Sequence, residues 1–525
     1  MKSKLCKPFV LTLVVVLVFL GLAGAASAQK QPPSGGPKTN QWLAIDKVPA
    51  FKNTLSKEGF TLTEGSFKYL DLVKATCEGL LPDTLANNPW PNTYLIMGFG
   101  TAEPPLDMFW ELGENEAIVL VGQTPPRAKY FSYQTFMMRL PGSNQRMGVP
   151  VGDSINIGTI NTIGPDKFNQ PIVFIITGNT ETEKRVRAAA LKSGYPNAII
   201  NVEAISPVIG PLGTSSQGST FAIGHRIAVA DNEAELFNYV QNAPKNYAVF
   251  RVTPNDQLAE QLAGHPEPVP VLRVRGTGHT EMALYPSLKE LRQAILDAYT
   301  GMPVMELDTK VWETVTPDNR ELIGEKPYVG LQRGIQVIGA TRDTNYLGTF
   351  PNFRLRDGVH EFVIVYGVNH QTIGKVTYTS FSIYADKDRW FGLQDGTTTS
   401  PHYDGSGLSG DSARKYLCPD DPNKCGSDVQ YLYAWKVARH CNGEAYCMEV
   451  KDVFQDIDGN SYTCNLYDYY ANPENPPLLG TFDLNNADLF FLWRSYMEPA
   501  TNVGPDDNEL LYDRAIYFGP YFIQP

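Results

Sequence analysis

The stretch Arg273-Val-Arg275-Gly-Thr-Gly278-His279-Thr-Glu281 gathers two guanidinium groups, a glycine-rich turn, an imidazole and a carboxylate within nine residues. Side chains alternate along a strand, so Arg273 and Arg275 would project to one side and could clamp a carboxylate or phosphate. They are the expected ligand-binding pair, with a small anionic molecule or a glycan as the ligand. His279 and Glu281 offer an acid and a base, but two ligands fall short of the three or four a bound zinc requires, and no metal site is expected. Asn369-His370 occupies the turn at which a similar upstream stretch has Pro125-Pro126, which makes His370 a further catalytic candidate. Ordinary turn chemistry is the competing reading of each.

Gly152-Asp153-Ser154 followed by Ile155 resembles the nucleophile block of the GDSL-type ester hydrolases, and Asp357-Gly-Val-His360 has the D-x-x-H spacing of that family's acid and base. The resemblance implies Ser154 as nucleophile with His360 and Asp357 behind it, since a serine hydroxyl needs a base to attack at neutral pH. It covers only these residues, and that family's Gly-x-Asn-Asp block is missing. A Gly-Asp turn entering an edge strand is the alternative. Asp456-Ile-Asp458-Gly459-Asn460 supplies the oxygens of a calcium loop, but Phe454 stands at the first ligand position of an EF-hand register and no glutamate closes it. His225, His265, His402 and His440 each stand alone.

A β-rich framework must position these groups. Glu116-Ala-Ile-Val-Leu-Val-Gly122, followed by Tyr130-Phe-Ser132-Tyr133 and Phe136, is echoed by Glu361-Phe-Val-Ile-Val-Tyr-Gly367, followed by Tyr378-Thr-Ser380-Phe381 and Tyr384. Both read as a buried strand, a turn and a second strand rich in aromatic and β-branched residues. The shared order predicts internal duplication, with β-rich units around residues 90 to 165 and 335 to 455. Between them, strands at 171–177, 198–202, 221–230 and 247–252 alternate with helices at 181–192 and 231–240, the βαββαβ order of a ferredoxin-like unit. A further strand, 269–274, precedes a helix with Leu288, Leu291, Ile295 and Tyr299 on one side. The expected fold is α+β, with an N-terminal helical segment and first β-rich unit over 42–170. A ferredoxin-like unit follows over 171–300, then a second β-rich unit with a disulfide-tied, Cys-rich C-terminal region over 301–525.

The N-terminus sets the compartment. Lys2, Lys4 and Lys7 precede an apolar run from Phe9 to Leu22 and the small residues Ala26-Ser27-Ala28, the tripartite pattern of a cleaved signal peptide. The mature chain is expected to begin at Gln29, with a disordered Pro/Gly tether over 29–41. Six cysteines then remain, which fits disulfides in an oxidising, secreted or periplasmic setting. Cys418 and Cys425 flank a turn-rich insert, Cys441 and Cys447 flank Asn442-Gly443, and this leaves Cys77 for Cys464. A net charge of -12 without any basic run argues against nucleic acid or anionic lipid as partner. No stretch after the leader is long and apolar enough to span a bilayer. The chain thus reads as an exported protein handling an extracytoplasmic ligand, with a secreted GDSL-like ester hydrolase or a non-catalytic cell-surface protein as alternatives. Neither an enzymatic activity nor a cofactor follows from the residues.

Overall fold

The computed structural model describes residues 44–81, 93–100, 108–142, 148–215, 217–311, 341–386, 391–397, 410–421, 424–468 and 476–520, together with the short backbone stretches 313–315 and 320–322. The expected signal peptide, the tether and His402 lie outside the described residues. Among the described residues no helix is long and apolar enough to cross a membrane.

Two curled sheets, each a half-barrel, carry the fold. The first contains β1 (Phe60–Tyr69), β2 (Thr93–Phe99), β3 (Ala117–Gln123), β4 (Ala128–Arg139), β5 (Val149–Pro150), β6 (Pro171–Thr177), β7 (Ile200–Ala204), β8 (Thr220–Ala230) and β9 (Ala248–Pro254). A two-residue strand, Ile155–Asn156, adds to β4. The order across the sheet is β5-β4-β8-β2-β1-β9-β3-β6-β7. The second sheet contains β10 (Val304–Val311), β11 (Thr344–Phe350), β12 (Phe362–Val368), β13 (Tyr378–Asp386), β14 (Phe391–Thr397), β15 (Leu432–Ala438), β16 (Cys447–Glu449), β17 (Asp488–Tyr496) and β18 (Arg514–Phe518). Its order is β14-β13-β17-β11-β10-β18-β12-β15-β16. A strand of given rank therefore holds the same place in both sheets. In each, the pair at one edge, β6 with β7 and β15 with β16, is parallel, and the other neighbours are antiparallel.

This arrangement corrects the expected ferredoxin-like unit. Its strands form, but they do not close a sheet of their own. β6 is buried at all seven positions and lies between β3 and β7, while β8 inserts between β4 and β2, and β9 between β1 and β3. Hydrophobic periodicity identifies an element but not its hydrogen-bonding neighbour, so the local βαββαβ order was compatible with either assembly. The C-terminal region is likewise woven in, supplying β15 to β18 to the second sheet. The expected strand at 269–274 does not form, and Val271 and Val274 are exposed there.

The helices cover the sheets. α1 (Val48–Lys57) buries Val48, Phe51 and Leu55, and the six-residue α2 (Leu72–Cys77) is capped by the Asp71 carboxylate on Lys74 N. α3 (Thr180–Lys192) and α4 (Glu233–Gln241) are capped by Asn179 and Asn232, whose side chains accept from the first free backbone N–H groups. α5 (Asp256–Leu262) ends the first half. α6 (Tyr285–Ala298) buries Leu288, Leu291 and Ile295 against Ile364, Ile516 and Phe518 on one face of the second sheet, with α7 (Asp411–Leu417) beside it. Three cysteine pairs stand at disulfide distance, Cys418 with Cys425 and Cys441 with Cys447, as their spacing predicted, and Cys77 with Cys464, the two that were left over.

Two close approaches fix the matched strands β3 and β12. A Cβ on Gly122 would run into the Tyr247 ring, and one on Gly367 into Asp513. Both neighbours are hydrogen-bonded in place: Tyr247 donates to Gln123 O, and Asp513 accepts from Tyr433 at 2.6 Å. Gly122→Ala should therefore act as an overpacking change, costing about 1–3 kcal/mol in a chemical-denaturation midpoint. A variant as stable as the parent would show that the ring yields.

Candidate functional site

The structure redistributes the residues singled out above. Arg273 and Arg275 are bonded to different parts of the chain. Arg273 N donates to Asp153 Oδ2 at 2.6 Å, and the Arg275 guanidinium donates to the carbonyls of Arg342 and Thr344, each at 3.0 Å. Arg273 thus ties the connecting segment to the first half through Asp153, and Arg275 ties it to the start of β11 in the second sheet. Asp153 also accepts from Arg342 Nε at 2.7 Å. The buried Ser154 hydroxyl meets Gln134 Oε1 at 2.7 Å and Thr341 Oγ1 at 2.8 Å, whereas Asp357 sits at the surface, 2.8 Å from His440 Nε2. His360 packs edge-on against Phe362. The residues of the GDSL-like pattern thus answer to separate partners. Asp456 closes a turn by accepting from Asn460 N and Asp458 N, and among the described residues no group of three His, Cys, Asp or Glu could hold a metal ion.

His370 and Glu281, by contrast, do meet. The fully buried His370 ring lies 2.6 Å from Glu281 Oε1 through Nδ1 and 3.3 Å from Asp513 Oδ2 through Nε2. Tyr433 donates to the other Asp513 oxygen and receives the Trp493 indole N–H at 2.9 Å, and Leu511 N donates to Glu281 Oε2. Burial alone would lower the His370 pKa, but the carboxylates of Glu281 and Asp513 outweigh it and push the value up to about 10. The ring is therefore an imidazolium held between two carboxylates. Next to it, Lys375 Nζ binds Glu498 Oε1 at 2.7 Å, Glu509 and the His279 carbonyl at 3.1 Å. These groups back a surface pocket of about 450 Å³, with His279 exposed at its rim.

A second polar cluster lies where the two sheets meet, and the search for motifs missed it. On β4, Tyr130, Ser132 and Gln134 share a face; Arg226 on β8 is paired with Ser132, and Tyr94 on β2 with Arg226. On β13, Tyr378, Ser380 and Ser382 share a face; Arg494 on β17 is paired with Ser380, and Tyr346 on β11 with Arg494. The two sets have the same register. They face one another, since Tyr130 packs 4.7 Å from Tyr496, which stacks 4.6 Å from Tyr378. Arg226 lies 5.2 Å over the Tyr94 ring and donates to Tyr496 OH at 3.0 Å; Arg494 lies 5.8 Å over Tyr346 and donates to Tyr384 OH at 2.6 Å. Tyr130 donates to Asp343 Oδ2 at 2.6 Å. Burial raises the Asp343 pKa to about 6, and it holds the Tyr130 and Tyr378 hydroxyls well above the usual phenol value, so both remain donors. Arg226 Nε, Tyr378 OH and Ser380 Oγ are buried there without a hydrogen-bond partner. The one sequence signal that touched this seam was the repeated Tyr-x-Ser, which reads as strand pattern until the arginines are placed beside it.

No family profile matches the chain, and no curated protein is similar to it. Among solved structures, the chain matches the crystal structure of the VPA0106 protein from Vibrio parahaemolyticus, a structural genomics target. The match has 12% sequence identity and a TM-score of 0.33, and covers 92% of this chain and 100% of that one.

Proposed function

We propose that the protein is exported and binds a small anion, a carboxylate or a phosphate, in the seam between its two sheets. The observation that carries this reading is that three donors of the seam, Arg226 Nε, Tyr378 OH and Ser380 Oγ, are buried without partners; an acceptor beside them, Asp343 Oδ1, is also unmet, on a carboxyl whose pKa burial pushes up to about 6. A buried donor left unmet costs about 1–3 kcal/mol, and more when it is charged, so several in one place are best explained by a ligand rich in acceptors. Two guanidinium groups in the same tyrosine cluster favour an anionic ligand over a neutral one. The cysteine pairs and the leader-like N-terminus support export.

The seam also fits an origin by duplication. Supporting this are the shared strand order, the identical pairing of Tyr-x-Ser with Arg and Tyr, and the left-handed backbone three residues after each arginine, at Val229 (φ 56°) and Met497 (φ 51°). Each copy would then contribute one arginine and its tyrosines to a common site.

Thermal unfolding with acetate, succinate or phosphate tests the assignment. At one hundred times its dissociation constant a bound anion should stabilise the protein by about 2.7 kcal/mol. Ser380→Ala, which removes one donor with little change of shape, should weaken binding severalfold, and Arg226→Gln by about 10- to 100-fold. Absence of a saturable shift with every anion, or equal shifts in wild type and both variants, would refute the site.

A further inference from the structure

The pocket beside Lys375 shares no residue with the seam, and its charges are of the opposite sense. Four buried carboxylates, Glu281, Glu498, Glu509 and Asp513, surround two cations, Lys375 and the His370 imidazolium. The two clusters are one unit, since Lys375 N donates to His370 O and Glu281 N to Glu509 O. Most carboxylate oxygens are accounted for. Glu281 is met by His370 and Leu511 N, Asp513 by His370 and Tyr433, and Glu509 by Lys375, Thr277 N and Gly278 N. Glu498 differs. Its Oε1 accepts from Lys375 and from Thr277 Oγ1 at 2.8 Å, but its Oε2 is buried without any partner, and the residue is 3% exposed on the pocket wall.

We propose that this pocket binds an organic ammonium group, with an N–H donating to Glu498 Oε2 and the attached carbon chain lying along Leu284 and Ile373. The excess of negative charge calls for a cation, since an uncompensated charge in a buried cluster is costly. A metal ion is a poor fit, because Glu498 Oε2 is a lone available ligand where a divalent cation wants several oxygens. A primary ammonium needs only one charged acceptor and an apolar wall for its body, and a volume of about 450 Å³ admits a short alkyl amine. Exposed His279 stands at the entrance, where a polar far end of the ligand would reach it.

Calorimetric titration of the full-length protein with n-butylammonium chloride, against tetramethylammonium and sodium chlorides, tests this. Saturable one-site binding of n-butylammonium is expected, with tetramethylammonium at least tenfold weaker because it has no N–H to donate. Glu498→Gln should weaken binding at least tenfold. Because Glu498 also holds Lys375, Ala500→Trp serves as the second variant. It places bulk at an exposed position on the pocket lining and should block binding while unfolding as wild type does. No saturable binding, equal affinity for tetramethylammonium, or unchanged binding in a folded Ala500→Trp variant would overturn the proposal.

Discussion

Replacing His370 with leucine should destabilise the protein by about 3–5 kcal/mol, because it strips the shared cation from Glu281 and Asp513 and leaves two buried carboxylates facing each other. Isosteric removal of the charges should repair much of this. The triple change His370→Leu, Glu281→Gln and Asp513→Asn should be more stable than His370→Leu alone, since uncharged amides tolerate burial better than unpaired anions. The wild type should show the same bridge in its pH dependence. The ring's pKa is raised in the folded chain from 6.5 to about 10, so its stabilising contribution is present in full below about pH 6.5 and is lost as the pH climbs through 10. Chemical denaturation at pH 6, 8 and 10 measures it. A His370→Leu variant with unchanged midpoint, or a wild type whose stability does not fall on the alkaline side relative to that variant, would mean that the ring is neutral in the folded protein.

Cys77→Ser should cost nearly as much. The pair with Cys464 closes 387 residues of sequence, with the α-carbons 4.3 Å apart, and ties α2 to the far end of the chain. Chain-entropy reasoning puts so long a loop above about 4.7 kcal/mol, and loss of a native bridge costs about 2–5 kcal/mol in measured cases. Cys418→Ser should cost less, since its bridge spans seven residues. Unfolding midpoints of the two serine variants decide the order, and non-reducing peptide maps check the pairing. A Cys77→Ser variant less affected than Cys418→Ser would show that the unfolded chain is already held compact by other contacts.

Elements were far more legible in the sequence than their partners. The runs 171–177 and 181–192 and the apolar stripe of Leu288, Leu291 and Ile295 were all readable, because hydrophobic period acts over a few residues, although the cap of α3 is Asn179. What placed β8 between β4 and β2 is pairing between residues 81 to 134 positions apart, for which no local pattern stands. The candidate residues divide the same way. Glu281 and His370 carried a signal in residue type and meet across 89 positions, yet Asp513, the carboxylate on the other side of the His370 ring, has no motif around it. Arg273 and Arg275 had a better local pattern, and their hydrogen bonds are to backbone carbonyls and Asp153 instead. Arg226 and Arg494, 268 positions apart, each sit singly in an apolar strand. Only the fold makes them a pair.

The strand order has a consequence for how the chain comes into being. In the first sheet the last two strands to be made, β8 and β9, are not at an edge. Remove them and the sheet falls into three fragments, β5-β4, β2-β1 and β3-β6-β7; removing β17 and β18 does the same to the second. A polypeptide delivered from its N-terminus therefore holds three loose fragments with bare edges until β8 is complete at residue 230 and two until residue 254, and in the second half three until residue 496 and two until residue 518. Each half must wait for its own closing stitches. A chain that cannot lock early depends during that interval on whatever keeps its open edges from finding one another.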